Sequence, residues 1–434
     1  METVAIFLEG AASVSAGLFA RELGPAQKIL ATAALAFAAF GCALHPYVYH
    51  DFLIVPYFAV GLACILILQL RVMPSVRDAI AVVVLGLALL QVDLRLLGYA
   101  TSAMAVLSLF GLASLLVLGW RAIWGKAKAD ALHRAFVAAI GLGVCVAFTG
   151  LYIERSAFWQ TKMYDLFLYS FDASLGGQWT FRLAQFTAHH PGAHFVSAMV
   201  YNVVLVPPAL VYAALLNDER RARTALWAFL IVGPLACVCF LLFPATGPVY
   251  AFKTFPMLAV PAGEIARLVP GPVGISGPRN AIPSLHFAWV LLAYWNSRDT
   301  KAAIRVFCAV MLALTIYATL ETGEHYGVDL LVAVPFALGI QALAMWLGGI
   351  RSRCVTQAIF VPLGITVAWF VLLRFCNRVC WVSAVVPWAA VLLTLGACLY
   401  LYRRLVAVQK ESGSIEKQSV SRETTDLVHA GSAG

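Results

Sequence analysis

The segment VDLLVAVPFALGIQALAMWLG, residues 328–348, contains a single charged side chain, Asp329. About 20 apolar residues suffice for a helix to cross the hydrocarbon core of a bilayer. The whole chain shares this character, because 62% of its 434 residues are hydrophobic and only 12% are charged. A soluble chain carries roughly 25% charged residues, so this composition excludes a water-soluble fold of such length. The sequence predicts an all-α polytopic membrane protein.

Apolar runs of membrane-spanning length recur along the chain, and we predict about twelve transmembrane helices. The run at 284–297 is short for a span, which indicates a tilted helix or one that extends beyond these residues. The predicted spans are 27–45, 51–70, 78–95, 102–119, 134–153, 195–216, 225–243, 284–297, 304–320, 328–348, 355–374 and 383–402.

Basic residues lie in five gaps between these spans, and an even number of spans separates each gap from the next. All five gaps therefore lie on one face of the membrane, which the positive-inside rule makes cytoplasmic, together with both termini. The basic residues in these gaps account for the net charge of +9. A continuous basic face with interleaved aromatic residues is missing from the sequence, so nucleic acid is not an expected partner. The gaps are RVMPSVR (71–77), WRAIWGKAKADALHR (120–134), NDERRAR (217–223), SRDTKAAIR (297–305) and IRSR (350–353).

Two gaps on the opposite face are long, 154–194 and 244–283, and such segments are where function concentrates. The first mixes aromatic and polar residues and predicts helices that lie in the membrane interface. The second is rich in Gly and Pro and predicts little regular structure. The polar residues 405–434 predict a disordered cytoplasmic tail. An internal repeat is the main sequence signal of an inverted-repeat transporter, and the two halves of this sequence show none.

The second long gap ends in GISGPRNAIPSLHFAWVLLAYW, residues 274–295. Pro283 and Ser284 are typical of a helix start, and they place His286 in the first turn of the next span. A helix N-terminus offers unpaired N–H groups and a positive dipole end, which together bind phosphate. Arg279 precedes this start, and its guanidinium can hold phosphate oxygens in a bidentate manner. An interfacial residue without catalytic duty is the alternative for each side chain taken alone.

The segment YATLETGEHYGVDLLVAV, residues 317–334, contains a second polar pair. His325 and Asp329 are four residues apart and share one face of a helix. The carboxylate can accept the Nδ1–H and leave Nε2 as a nucleophile. The predicted topology places His286 and His325 at the same depth on the outer face, so the three residues form one candidate site.

This arrangement favours phosphoryl transfer. His325 would attack phosphorus and form a phosphohistidine, and His286 would protonate the leaving oxygen and then activate the water or alcohol that resolves the intermediate. Arg279 and the N–H groups near Ser284 would bind the developing charge. Water as the final acceptor makes a phosphatase, and a lipid or polyol hydroxyl makes a transferase.

The motifs PSLH (283–286) and HYGVD (325–329) resemble the second and third motifs of the type 2 phosphatidic acid phosphatase superfamily. More narrowly, RNAIPSLHFA followed by TGEHYGVDLL resembles the branch that holds inositol phosphorylceramide synthase and its bacterial relatives. The resemblance implies a six-helix core, here 134–348, with no metal or other cofactor. It also implies His325 as nucleophile, Asp329 as its orienter and His286 as acid and base. Four spans in 1–133 and two in 349–404 lie outside it.

The chain departs from the superfamily pattern in two places. FPATGPVYAFK (243–253) stands where a basic first motif is expected, and Lys253 is its one candidate phosphate ligand. Thr319 replaces the arginine expected six residues before the nucleophile. Asp165, Asp172 and Tyr326 are further candidates for headgroup contacts. The alternative for the two carboxylates is that they are polar side chains at the surface that contact only solvent.

The segment HHPGAH (189–194) suggests a metal site, since His190 and His194 have helical spacing, but no carboxylate is close in sequence. We therefore predict no metal. The sequence predicts a lipid phosphotransferase or phosphatase whose partner is a lipid with a phosphate headgroup, and it shows no obligate protein partner. The expected location is a bacterial inner membrane with the site facing the periplasm. A phosphatase that only hydrolyses is the first alternative, and a non-enzymatic lipid transporter or scaffold is the second.

Overall fold

The computed structural model describes residues 57–431 apart from residues 73, 98–102, 125–129 and 257–259, and it describes side chains up to about residue 411. Within these residues the chain is helical, and its one β-interaction is an isolated bridge between Met163 and Val273. The helices are α1 Tyr57–Arg71, α2 Val76–Val92, α3 Ala103–Trp124, α4 Asp130–Trp159, α5 Asp165–Ser174, α6 Trp179–Ala188, α7 Pro191–Asn202, α8 Val206–Leu215, α9 Glu219–Leu242, α10 Leu285–Asn296, α11 Ala302–Glu321, α12 Gly327–Leu347, α13 Arg353–Phe375 and α14 Val385–Gly431.

Eight of the described helices are long and apolar enough to cross a membrane. The bent pair α7 and α8, which meet at 49°, makes a ninth if it counts as one span. The chain is therefore a multi-pass membrane protein, but twelve spans are not shown. The predicted span 27–45 lies outside the described residues, and α1, with 15 residues, is shorter than a full span.

The predicted span at 284–297 is the helix α10, which has only 12 residues. It packs against α8, α9, α11 and α12, so lipid is replaced by protein around much of it. A helix enclosed in this way does not need to match the thickness of the bilayer, because its ends are covered by other segments rather than by headgroups.

Helix α12 lies at the centre of the fold, and 72% of its apolar stretch is buried. It contacts α9, α10, α13 and α14, and a satellite cluster of α1, α2 and α3 packs on the side of α4 and α8. The N-termini of α10 and α12 meet, since the Ser284 N–H donates to the carbonyl of Asp329 over 3.1 Å. The two motifs singled out in the sequence are thus brought together by the central helices.

The long gaps take different forms. Residues 154–194 contain the short helices α5 and α6, in agreement with the prediction of helices there. The described part of residues 244–283, which leaves out 257–259, contains two one-turn helices, Pro248–Ala251 and Ala262–Ile265, and is otherwise irregular, as predicted.

The tail differs from its prediction, because α14 continues to Gly431 through residues 405–431, where the sequence predicts disorder. Glu, Lys, Gln and Arg in this stretch have good intrinsic helix propensity and extend the helix that the last span has already nucleated.

Candidate active site

Ser284 begins α10, and its side chain caps the helix. Its Oγ accepts a hydrogen bond from the Phe287 N–H over 3.4 Å, which satisfies one of the free donors of the first turn. His286 lies in that turn and is only 3% exposed. The ring of Tyr201 from α7 stacks on the His286 imidazole, with 3.9 Å between ring centroids. The cap and the aromatic contact fix the position of this histidine.

His325 lies two residues before α12, and two groups are near its Nδ1. The carbonyl oxygen of Ala281 is 2.8 Å away, and Oδ2 of Asp329 is 3.5 Å away. The shorter contact requires Nδ1 to carry the proton, since a carbonyl only accepts. The same Oδ2 accepts the Tyr326 N–H over 2.7 Å, so Asp329 also caps α12. Orientation of the predicted nucleophile is therefore shared between a backbone carbonyl and the predicted carboxylate.

The rings of the two histidines lie close together, with 6.2 Å between ring centroids and 63° between ring planes. With the proton on Nδ1, Nε2 of His325 has a lone pair, and this buried atom has no hydrogen-bond partner among the described residues. Burial lowers the pKa of His325 to about 4, so the imidazole is neutral at pH 7. A buried, neutral and oriented imidazole is suited to nucleophilic attack.

Asp172 on α5 binds the start of α12. Its two carboxylate oxygens accept the N–H groups of Gly327 and Val328 over 2.6 and 3.0 Å. Burial raises its pKa to about 7, and these N–H groups act in the opposite direction. The side chain is held inside the protein by backbone groups, which argues against the predicted contact with a headgroup.

Asp165, at the start of α5, is also fully buried. Its carboxylate accepts the N–H of Gly247 over 2.9 Å and the hydroxyl of Tyr326 over 3.1 Å. Burial raises the pKa of Asp165 to about 6. Neither Asp165 nor Tyr326 reaches the surface, and together they join α5, the 244–253 segment and the HYGVD motif.

The three predicted phosphate ligands lie in different environments. The guanidinium of Arg279 donates to the carbonyls of Gln160 and Gly277, so its donors brace the loop before α10. Ser284 serves as the helix cap, and Lys253 is exposed in the 244–283 segment. At the position of the missing arginine, the Thr319 hydroxyl donates to the carbonyl of Thr315 within its own helix. The structure thus presents the first turn of α10, rather than a basic side chain, next to His286.

The HHPGAH segment forms no metal cluster within the described residues. His194 pairs with Glu321 through a 2.5 Å contact between Nδ1 and Oε1, and His190 stacks on Phe186. No carboxylate is close to this segment in the sequence, but Glu321 at the end of α11 approaches it in the fold. Glu321 contacts one histidine only, His194.

Several groups of this site were not predicted from the sequence. The carbonyl of Ala281 is a backbone group, and no pattern of side chains identifies it. Tyr201 and Thr180, whose hydroxyl donates to the carbonyl of His325 over 3.2 Å, come from helices more than 80 residues away in the chain. Thr180 lies in the 154–194 region, whose aromatic and hydroxyl residues were the available signal, and Tyr201 lies in the predicted span 195–216, but spacing alone does not single out these two.

Residues 166–343 match the family model described as the PAP2 superfamily. This region, less than half of the chain, is therefore of the PAP2 lipid phosphatase and phosphotransferase type, and it contains both histidine motifs. The match extends from α5 into α12, so α1 to α4 lie outside it. No curated protein and no solved structure matches the chain.

Proposed function

We propose that this protein transfers a phosphate-containing group from a membrane lipid to an alcohol through a phosphohistidine on His325. The observation that carries the proposal is the geometry of this histidine: Nδ1 is fixed by Ala281, and the buried Nε2 has no hydrogen-bond partner in the described part of the chain. The similarity to PAP2 domains supports a substrate that bears phosphate.

In the first step, Nε2 of His325 attacks phosphorus, the bond from phosphorus to the leaving oxygen breaks, and His286 gives that oxygen a proton. In the second step, His286 takes the proton of the acceptor hydroxyl, whose oxygen attacks phosphorus and releases His325. The N–H groups of the first turn of α10 stabilise the charge on the phosphoryl oxygens. Arg279 holds the loop that carries Ala281, while Asp329 and Asp172 position the start of α12.

The burial of the site favours transfer over hydrolysis. His286 and His325 are 3% and 1% exposed, and exclusion of water protects a reactive intermediate from hydrolysis. The narrower resemblance to inositol phosphorylceramide synthase points the same way, towards a phospholipid headgroup as donor and a lipid or polyol alcohol as acceptor. Hydrolysis of a lipid phosphate is the alternative, and it differs only in what resolves the phosphohistidine.

We place this site on the outer face of a bacterial inner membrane, with both termini in the cytoplasm. His286 begins α10 and His325 precedes α12, whereas the basic segments 297–305 and 350–353 follow the opposite ends of the same helices. The positive-inside rule makes those segments cytoplasmic and the histidines external.

Turnover of a radiolabelled phospholipid by the purified protein, with and without added alcohols, tests the reaction. Transfer predicts a new labelled product that depends on the alcohol, together with an acid-labile phosphoenzyme that His325→Ala abolishes. The exposed His190 provides the matched control, and His190→Ala should retain both. If the labelled headgroup phosphate is released free whichever alcohol is added, the reaction is hydrolysis rather than transfer. Turnover that persists in His325→Ala would refute the phosphohistidine.

A further inference from the structure

Glu324 lies directly before His325 in the chain, and its carboxylate is held by a residue of the 244–253 segment. The hydroxyl of Tyr250 donates to Oε1 of Glu324 over 3.1 Å. His325 is 1% exposed, whereas Tyr250 is 37% exposed. The pair of Tyr250 and Glu324 thus extends from the candidate nucleophile towards the surface, on the side from which a group attached to the phosphate can reach it.

Backbone contacts fix the position of this pair. The Val249 N–H donates to the carbonyl of Gly323 over 2.9 Å. Gly247, at φ +100, lies so close to the 323–324 backbone that an added Cβ would be 2.3 Å from the carbonyl oxygen of Glu324. The turn that carries Tyr250 is therefore docked along the residues that precede the candidate nucleophile, and it holds the carboxylate in place.

The carboxylate of Glu324 forms no ion pair with a lysine or arginine of the described residues. Arg279 is the one lysine or arginine that is buried in the described part of the chain, and its guanidinium donates to the carbonyls of Gln160 and Gly277. The negative charge beside His325 is therefore not compensated by a basic side chain of these residues. Such a carboxylate is suited to bind a cationic group of a ligand.

A primary ammonium group meets the requirements of this carboxylate. It brings a positive charge and N–H donors, and a hydrogen bond between two charged groups is roughly twice as strong as one between neutral groups. A phosphate with two negative charges would be repelled, because like charges oppose each other. Burial raises the pKa of Glu324, and a bound ammonium group would act in the opposite direction by stabilising the charged form.

We propose that Glu324, held by Tyr250, is a specificity-determining residue that binds an ammonium group of a substrate while the phosphorus lies at His325. The proposal rests on the proposed function, in which His325 attacks that phosphorus. The ammonium group belongs either to the headgroup of the donor phospholipid or to the acceptor alcohol, since each is next to the phosphorus in one of the two steps. The segment FPATGPVYAFK (243–253) thereby gains a role, because it supplies Tyr250 where a basic first motif is expected.

Two pairs of substrates test the two sources of the ammonium group. Phosphatidylethanolamine and phosphatidylglycerol are both phosphodiesters, and only the first carries an ammonium group. Ethanolamine and ethylene glycol differ in the same way as acceptors, with phosphatidylglycerol as donor. Two unit charges about 12 Å apart near a protein surface change an equilibrium constant roughly tenfold. The wild-type protein should favour the amine of one pair about tenfold in kcat/KM, and Glu324→Gln should remove this preference.

Glu264→Gln is the matched control, since Glu264 is an exposed carboxylate of the 244–283 segment that also supplies Tyr250. This variant should retain the preference for the amine. Glu324→Asp keeps the charge and should restore part of the preference, which a merely structural role of Glu324 would not produce. Tyr250→Phe removes the hydrogen bond to the carboxylate and should reduce the preference. Equal rates for amine and diol in both pairs, or a preference that Glu324→Gln leaves unchanged, would overturn the proposal.

Binding without turnover separates this proposal from the proposed function. His325→Ala cannot form the phosphoenzyme, but it should still bind the amine of the selected pair more tightly than the diol, and the double variant with Glu324→Gln should not. Selective binding in a wild-type protein without phosphoryl turnover would support the ammonium site and refute the proposed reaction. A phosphoenzyme on His325 that forms and is resolved without any selection for an amine would refute the ammonium site and leave the reaction standing.

Discussion

Replacement of Asp172 tests whether a residue remote from the chemistry positions the nucleophile. Its carboxylate binds the first two N–H groups of α12, at Gly327 and Val328, directly after His325 and Tyr326. Gly327 permits this approach, since a Cβ there would lie 3.3 Å from Asp172 Oδ2. In Asp172→Asn, the amide NH₂ would face one of these N–H groups, so one hydrogen bond is lost and two donors are opposed.

The size of the effect follows from these contacts. A hydrogen bond to a charged group contributes about 1.5–3 kcal/mol. Because burial raises the pKa of Asp172 to about 7, the side chain is partly neutral at pH 7, and the lower part of this energy range applies. We expect the start of α12 to lose about 2 kcal/mol. A displacement of about 1 Å at the reacting atoms costs on the order of 10²-fold in rate.

The assay compares turnover, phosphoenzyme formation and thermal unfolding of Asp172→Asn with those of Ser170→Ala. Ser170 lies on the same helix and is equally buried, but its hydroxyl donates to Asn377 over 2.8 Å, away from the motif. Asp172→Asn should lose about 10²-fold in phosphoenzyme formation with a modest fall in unfolding temperature. Ser170→Ala should lose stability without a matching loss of rate. Full activity in Asp172→Asn would refute the positioning role.

Further measurements test other features of the site. The pKa of His325 lies near 4 rather than 6.5, so its neutral form dominates above about pH 5. With an activated aryl phosphodiester, whose leaving group departs without a proton from His286, kcat/KM should hold from pH 8 to pH 5, and a fall centred near 6.5 would show a solvated imidazole. The same shift favours folding above pH 6.5 and loses that contribution as the pH falls towards 4, which thermal unfolding measures. His286→Ala should lose roughly 10²–10⁴-fold with an alkyl leaving group and recover part of this with an activated aryl phosphate, whereas equal losses would exclude a general acid. Gly247, at φ +100, leaves 2.3 Å between an added Cβ and the carbonyl of Glu324, so Gly247→Ala should displace the loop before His325 and lower activity at least tenfold; wild-type kinetics would contradict this. Turnover should survive a strong chelator. Loss of turnover in chelator, followed by restoration with added zinc or magnesium, would contradict this and favour a metal site at the HHPGAH segment.

The sequence by itself determined the class of protein and the three residues of the candidate centre. Hydropathy is a local property, so membrane spans could be recognised without knowledge of their neighbours, and the count of spans predicted that His286 and His325 lie on one face. The pairing of His325 with Asp329 is equally local, since four residues make one turn of a helix. The lengths of the spans were less predictable, as α10 shows, because enclosure by other helices removes the need to match the bilayer.

Only the tertiary structure decided how those residues are held. The carbonyl of Ala281 approaches His325 from 44 residues away, and Asp172 reaches Val328 across 156. The role of a backbone group cannot be predicted from the types of the side chains. A carboxylate between aromatic residues has the same sequence pattern whether it is buried or exposed. Local spacing fixes what a helix presents on its faces, and the packing of distant helices decides what those faces meet.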